Sequence, residues 1–256
     1  MKRSHIAAGA GLSVLLGLAA ATAGYAALRL HRSTRLARRA HPFERQAEPE
    51  GARLLVGGDS TAGRAGGSDP IHSLPGLLSR ANPSLTVVNK SQPGARFADI
   101  LEQLDGDERF DAVLVLGGTH DVLGTTRDAA LRDLVQRVAQ RARVRAQVVV
   151  FMPPGNLGNL RVFLPPWSWW MSYRARRLQA IVAEVARANG AQHVALFMAR
   201  QDDPFARHPR RLSSRDGLHP SDAGYELWQR ELETQVQLSA RLRKIGRSAA
   251  VRGPVI

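Results

Sequence analysis

The residues best suited to chemistry are a serine, an aspartate and a histidine in two short segments far apart in the sequence. Ser60 lies in the segment Gly-Gly-Asp-Ser-Thr at residues 57–61, directly after an apolar run. Asp216 and His219 lie three residues apart in a loop that ends at Pro220. A serine becomes a nucleophile when a base removes its proton, and the base needs an acceptor that fixes its tautomer. Taken singly, each segment is more typical of a surface turn, but together they indicate nucleophilic catalysis.

Two other motifs built around serine or glycine do not fit the first segment. The nucleophile elbow of α/β-hydrolases needs a glycine two residues after the serine, and Ala62 stands there. A phosphate-binding loop that starts at Gly58 needs a lysine and a hydroxyl residue after Gly63, and the chain has Arg64-Ala65 instead. The chain has no cysteine, which excludes a cysteine nucleophile.

Two further segments could stabilise the negative charge that develops when a serine attacks a carbonyl group. Gly94 lies in residues 91–95, after the second apolar run, and His120 lies in residues 117–121, after the third. Backbone N–H groups and donor side chains at such positions can form an oxyanion hole. We therefore expect both residues beside Ser60.

The elements that must position these residues are short apolar runs alternating with helical patterns from residue 53 onwards. Alternation of this kind predicts a parallel sheet with helices on both faces, and sites in such folds lie beyond the carboxyl ends of the strands. The predicted strands are residues 54–57, 85–88, 112–116, 147–152 and 193–197. The predicted helices are 127–144 and 172–189, which carry apolar residues at helical spacing, and a last helix at 222–238.

The order of these blocks resembles that of the SGNH, or GDSL-like, hydrolases. The matching residues are Gly58-Asp59-Ser60, Gly94, and Asp216 and His219 followed by proline, within about residues 53–238. The resemblance implies that Ser60 is the nucleophile, with Asp216 and His219 completing a triad. It also implies an oxyanion hole formed by Ser60, Gly94 and His120. The implied fold is a three-layer α/β/α sandwich with a flavodoxin-like parallel sheet.

One block departs from the family pattern. The family usually has Gly-x-Asn-Asp, and this chain has Gly118-Thr119-His120-Asp121. The asparagine amide is a reliable donor, whereas a neutral imidazole donates from only one nitrogen. We expect His120 to keep the oxyanion role, although lowered or redirected activity remains an alternative.

The function implied by the resemblance is hydrolysis of acyl or acetyl esters of a lipid, glycan or small molecule through an acyl-enzyme. No cofactor is expected, and the remaining histidines show no metal-ligand spacing. Two alternatives stay open. An acyltransferase would use the same triad, and a catalytically silent, membrane-tethered domain would only bind acylated glycans.

The positive charge of the chain is concentrated at its two ends. The net charge is +14, of which residues 1–45 carry +7 and residues 239–256 carry +5. A nucleic-acid-binding domain carries its charge on a folded face, so no nucleic acid is expected as a partner. The basic ends are better suited to anionic lipid, or are simply solvated.

The N-terminal segment predicts a membrane-inserting helix. Residues 6–28 carry no charge and would span about 35 Å as a helix, enough for the hydrocarbon core of a bilayer. A cleaved signal peptide ending near residues 21–23 is the alternative. Five arginines follow this run, which places the catalytic domain of a single-pass protein in the cytoplasm, with a periplasmic or extracellular domain as the alternative.

These patterns divide the chain into four parts. They are an anchor or signal segment (1–28), a basic stem (29–51), a hydrolase domain (52–238) and a basic C-terminal tail (239–256). Within the domain, residues 153–173 contain Trp167, Trp169 and Trp170. These tryptophans could form an acyl-binding wall, a sugar-stacking surface or a lipid contact, or could simply pack over the sheet.

Overall fold

A parallel five-stranded sheet forms the centre of the computed structural model, which describes residues 2–38, 41–47 and 51–252. The strand order is β2-β1-β3-β4-β5, with every neighbouring pair parallel. This is the flavodoxin-like order, and it confirms the predicted sheet. The strands are β1 (Arg53–Gly58), β2 (Thr86–Asn89), β3 (Phe110–Leu116), β4 (Ala146–Phe151) and β5 (Gln192–His193).

Helices cover both faces of the sheet, as a doubly wound parallel fold requires. The helices are α1 (Lys2–Ala37), α2 (Leu74–Ala81), α3 (Phe97–Gln103), α4 (Thr119–Leu123), α5 (Asp128–Arg145), α6 (Trp167–Ala188), α7 (Pro204–Arg207), α8 (Pro209–Leu212), α9 (Asp222–Val236) and α10 (Leu238–Arg252). One face of the sheet packs against α3, α5 and α6, and the other face packs against α2, α9 and α10.

The alternation of side chains along the strands explains the two cores. On β1, Leu55 joins the core beneath α3, α5 and α6, whereas Leu54 and Val56 join the core beneath α2, α9 and α10. All three side chains are fully buried. A strand that is buried on both faces must be apolar at every position, which is why the runs are continuous rather than alternating.

Two predicted elements differ from the structure. The predicted strand 193–197 is reduced to Gln192–His193, because the chain leaves the sheet edge after Val194 and the Ala195 N–H bonds the side chain of Gln235. Helix α6 begins at Trp167, five residues before the predicted start. Proline suits the first positions of a helix, so Pro166 marks this start and places the tryptophans inside the helix.

The predicted transmembrane segment is not supported by the structure. Among the described helices, none combines the length and the apolar character needed to cross a bilayer. The side chains of residues 6–12 and 14, which belong to the predicted span, lie outside the described residues. The cytoplasmic placement of the domain stays a prediction.

Most of the described residues at the two basic ends are helical. Helix α1 extends to Ala37 and so includes the first part of the predicted stem. The predicted tail forms α10, with Leu238 and Leu242 buried against the domain and the Ser239 hydroxyl bonded to Glu233. Residues 253–256 of that tail lie outside the described residues. The division into four parts stays a prediction.

Candidate active site

Ser60 lies two residues after the end of β1, at the carboxyl edge of the sheet. The Asp59 N–H donates to the Leu116 carbonyl of β3, which holds the start of the turn against the neighbouring strand. The Asp59 carboxylate then accepts from the N–H and the hydroxyl of Thr61, at 2.9 and 2.7 Å. An aspartate that bonds the backbone two residues later fixes a tight turn. The local sequence Asp-Ser-Thr therefore fixes the backbone on both sides of Ser60.

The structure brings together the three residues predicted to form a triad. The Ser60 Oγ lies 2.8 Å from Nε2 of His219, and the His219 Nδ1 lies 2.6 Å from Oδ2 of Asp216. Each residue is less than 5 % exposed. A neutral His219 can accept the Ser60 proton at Nε2 only if it carries its own proton at Nδ1, where Asp216 accepts it. The geometry is that of a nucleophile, a base and an orienting carboxylate.

The Asp216 carboxylate is held as an anion by its surroundings. Its Oδ1 accepts from the Ser214 hydroxyl at 2.6 Å and from the N–H groups of Leu218 and His219 at 2.9 and 3.1 Å. Burial acts to raise the pKa of Asp216. The hydrogen bond and charge of His219, and the bonds from Ser214 and Leu218, outweigh burial and lower the pKa well below its usual range. Asp216 is therefore an acceptor at any ordinary working pH.

Two close contacts set the position of the His219 loop against the Ser60 loop. Gly66 has φ +92°, and a Cβ there would lie 2.4 Å from the Pro220 carbonyl and 2.7 Å from the His219 Cβ. The buried Tyr225 of α9 donates its hydroxyl to the Ala65 carbonyl at 2.7 Å. Neither contact could be predicted from the sequence, because Gly66 and Tyr225 belong to no catalytic motif.

The two other candidate oxyanion residues lie at the same edge of the sheet. Gly94 follows β2 in the left-handed conformation, φ +89°, with open space where a side chain would point. His120 is the second residue of α4, and its Nδ1 is buried without a hydrogen-bond partner among the described residues. The Asp121 carboxylate bonds the Phe97 N–H and the Thr126 hydroxyl. The roles of Gly94 and His120 stay predictions.

A small apolar pocket opens beside His219. Its volume is about 60 Å³, and its walls come from the loops after β3, β4 and β5 and from α9. The apolar residues that line it include Leu160, Leu196, Met198, Phe205, Leu218 and Trp228.

The three tryptophans of residues 153–173 are not among the residues that line this pocket. Trp169 is 70 % exposed on the first turn of α6, and Trp167 donates its indole N–H to the Ala19 carbonyl of α1. The tryptophan on the pocket wall is Trp228, which the sequence showed only as part of a helical pattern.

The comparisons with known proteins concern the sequence and the fold. The sequence profile of the GDSL-like lipase/acylhydrolase family matches residues 56–227, well over half of the chain. This match includes Ser60, Gly94, His120, Asp216 and His219. A search of curated proteins gives no match.

Several solved structures share the fold at low sequence identity. A lipase/acylhydrolase from Enterococcus faecalis is 23 % identical, with a TM-score of 0.55, and the match covers 75 % of this chain and 97 % of that one. TesA is 22 % identical, with a TM-score of 0.58 and coverage of 73 % and 99 %. A catalytic mutant of Axe2, an acetylxylan esterase from Geobacillus stearothermophilus, is 17 % identical, with a TM-score of 0.53 and coverage of 74 % and 96 %. From its sequence match, the chain belongs to the GDSL-like lipase/acylhydrolase family and is a serine hydrolase of ester substrates.

Proposed function

We propose that this protein hydrolyses carboxylic esters through an acyl-enzyme formed on Ser60. The observation that carries the proposal is the buried relay from Ser60 Oγ to His219 Nε2, at 2.8 Å, and from His219 Nδ1 to Asp216 Oδ2, at 2.6 Å. Nε2 takes the hydroxyl proton as Oγ forms a bond to the carbonyl carbon. The resulting imidazolium gives that proton to the leaving alcohol as the ester C–O bond breaks. Water then repeats the two steps, which releases the acid and restores Ser60.

The oxyanion of each tetrahedral intermediate is stabilised by the N–H groups of Ser60 and Gly94 and by the side chain of His120. The surroundings of the His120 ring support its part in this role. A buried N–H without an acceptor is rarer than a buried acceptor without a donor, so the unpartnered Nδ1 favours the form that is protonated at Nε2. That form leaves the Nε2–H free to donate to substrate.

The substrate carries a short acyl group. The pocket beside His219 has a volume of about 60 Å³, enough for roughly four to six water-sized centres. An acetyl group or a slightly longer acyl chain fills this volume, whereas a long acyl chain would extend beyond the pocket. The fold likeness to an acetylxylan esterase is consistent with an acetyl ester. Leu196, Phe205 and Trp228 form an apolar wall of this pocket, which favours binding of the acyl group there over binding of the alcohol group.

Acyl transfer is the second candidate, because it uses the same three residues and differs only in the acceptor that enters after Ser60 is acylated. Turnover of an acetyl ester in the presence of sugar or glycerol acceptors separates the two reactions. Free acetate as the dominant product supports hydrolysis, and an acetylated acceptor as the dominant product supports transfer.

The test of the proposed hydrolysis is a series of p-nitrophenyl esters assayed with the parent and two serine variants. We expect the acetate and butyrate esters to be hydrolysed faster than long-chain esters, and Ser60→Ala to lose this activity. Ser91→Ala is the matched control, because Ser91 is also buried nearby and its hydroxyl has no hydrogen-bond partner among the described residues. Activity that survives in Ser60→Ala would show that the nucleophile is another residue.

A further inference from the structure

One side chain of the N-terminal helix reaches the buried aspartate–histidine pair. The Ser33 Oγ lies 2.8 Å from Oδ2 of Asp216 and 3.1 Å from Nδ1 of His219. Ser33 is 1 % exposed, so water does not compete for these contacts. It lies more than 180 residues from its partners in the sequence and in no block of the hydrolase family.

The contact belongs to a continuous docking face of α1. The side chains of this face recur at spacings of four, four, three and four residues, the period of one face of a helix. Ala26 and Leu30 pack into the core beneath α3, α5 and α6, so the helix rests on the domain next to the triad. The members of the face are Thr22, Ala26, Leu30, Ser33 and Ala37.

The direction of the Ser33 hydroxyl is unusual for a helical residue. Serine and threonine inside helices commonly bond the carbonyls three or four residues earlier in the same helix. Thr22 and Thr34 of α1 do so, at 2.8–3.2 Å. The Ser33 hydroxyl instead bonds the carboxylate of the triad.

The Ser33 hydroxyl has a single proton, so it can donate in only one of its two contacts. Nδ1 of His219 must carry a proton if Nε2 is to accept from Ser60, so the Ser33 Oγ can only accept at Nδ1. Its own proton therefore goes to Oδ2 of Asp216. Carboxylate, imidazole and hydroxyl form a closed triangle of contacts. One helical turn earlier, Arg29 donates to the carbonyl of Arg215, the neighbour of Asp216, at 3.3 Å.

We propose that Ser33 is a positioning residue of the active site and that α1 is thereby part of the catalytic apparatus. Ser33 fixes the carboxylate of Asp216 and the ring of His219 relative to Ser60. It touches neither substrate nor the reacting atoms. The proposal rests on the proposed function only in so far as His219 acts as the base.

The experiment compares four variants of the full chain, Ser33→Ala, Ser33→Cys, Ser33→Thr and Thr34→Ala. Alanine removes the hydroxyl, cysteine keeps the shape with a weak donor, and threonine keeps the hydroxyl. Thr34→Ala is the matched control, because its exposed hydroxyl bonds the carbonyls of Leu30 and His31 in its own helix. The readouts are kcat and KM for p-nitrophenyl acetate and the ¹H and ¹⁵N chemical shifts of the His219 Nδ1–H group.

We expect kcat to fall about tenfold in Ser33→Ala and Ser33→Cys, the size of one hydrogen bond to a charged group, with KM changed less than about twofold. The Nδ1 shifts should move in both variants, Ser33→Thr should recover much of kcat, and Thr34→Ala should match the parent. Parent kcat and unchanged Nδ1 shifts in Ser33→Ala or Ser33→Cys would overturn the proposal, even if the melting temperature falls. If the parent hydrolyses no ester, the proposed function fails, and the chemical shifts still decide whether Ser33 positions the pair.

Discussion

Replacing Asp216 by asparagine tests how the carboxylate controls the tautomer of His219. Oδ1 of Asp216 accepts from two fixed backbone donors, the N–H groups of Leu218 and His219, and from the Ser214 hydroxyl. An asparagine must keep its carbonyl oxygen at that position, so its NH₂ group takes the place of Oδ2. The NH₂ group donates to Nδ1 of His219, which must then lose its proton. The proton moves to Nε2, where it faces the Ser60 hydroxyl and prevents proton abstraction.

The expected loss is therefore that of a wrong tautomer rather than of a missing contact. By analogy with serine proteases, kcat for p-nitrophenyl acetate should fall about 10⁴-fold, equivalent to roughly 5.5 kcal/mol of activation free energy. Ser214→Ala is the control, since it removes one donor from Oδ1 and leaves the Asp216–His219 bond in place. Its kcat should stay within about tenfold of the parent value. Asp216→Asn with a kcat within about tenfold of the parent would refute the reasoning.

Four further predictions concern the surroundings of the triad. His120→Ala should lower kcat about 10²–10³-fold with little change in KM, whereas His120→Asn should keep much of the activity. If His120→Ala has the kcat of the parent, the oxyanion hole consists of Ser60 and Gly94 alone. Gly66→Ala should lower both kcat and the melting temperature, because the new Cβ would lie 2.4 Å from the Pro220 carbonyl. Gly63→Ala is the control and should resemble the parent, because its Cβ would have no contact closer than 3.4 Å. Tyr225→Phe should lower the free energy of unfolding in urea by about 1–3 kcal/mol, because the Ala65 carbonyl loses its donor; no change would mean that the hydroxyl is dispensable. The lowered pKa of Asp216 contributes stability above its ordinary value of 3.8 that is lost as the pH falls, so the melting temperature of the parent should drop in acid more than that of Asp216→Asn.

The sheet and the proximity of Ser60, Asp216 and His219 could be predicted from the sequence because both leave local signals. Buried parallel strands are continuous apolar runs, and β1, β2, β3 and β4 lie within a few residues of their predicted bounds. The segments around Ser60 and His219 each combine a polar catalytic residue with glycine or proline at a turn. The carboxyl ends of parallel strands meet at one edge, which is why two short segments sufficed to predict a shared site.

The contacts that position the side chains of the site could not be predicted, because they join residues that are far apart in the sequence and meet only in the folded structure. Ser33 is one serine in a helix, and only the docking of α1 brings it to Asp216. Trp228 and Tyr225 share the helical pattern of α9, which indicates burial but not which pocket or loop they meet.

The most direct test of the central claim, that Ser60 is the nucleophile, is the site of a covalent adduct with a fluorophosphonate probe. This reagent transfers its phosphonyl group to an activated serine and remains bound, so the outcome does not depend on how fast an acyl-enzyme would be hydrolysed. Mass spectrometry of the digested protein should find one adduct, on the peptide that contains Ser60. His219→Ala should label much more slowly, since the base that removes the Ser60 proton is lost. An adduct on another serine, or labelling of Ser60→Ala at the rate of the parent, would contradict the account.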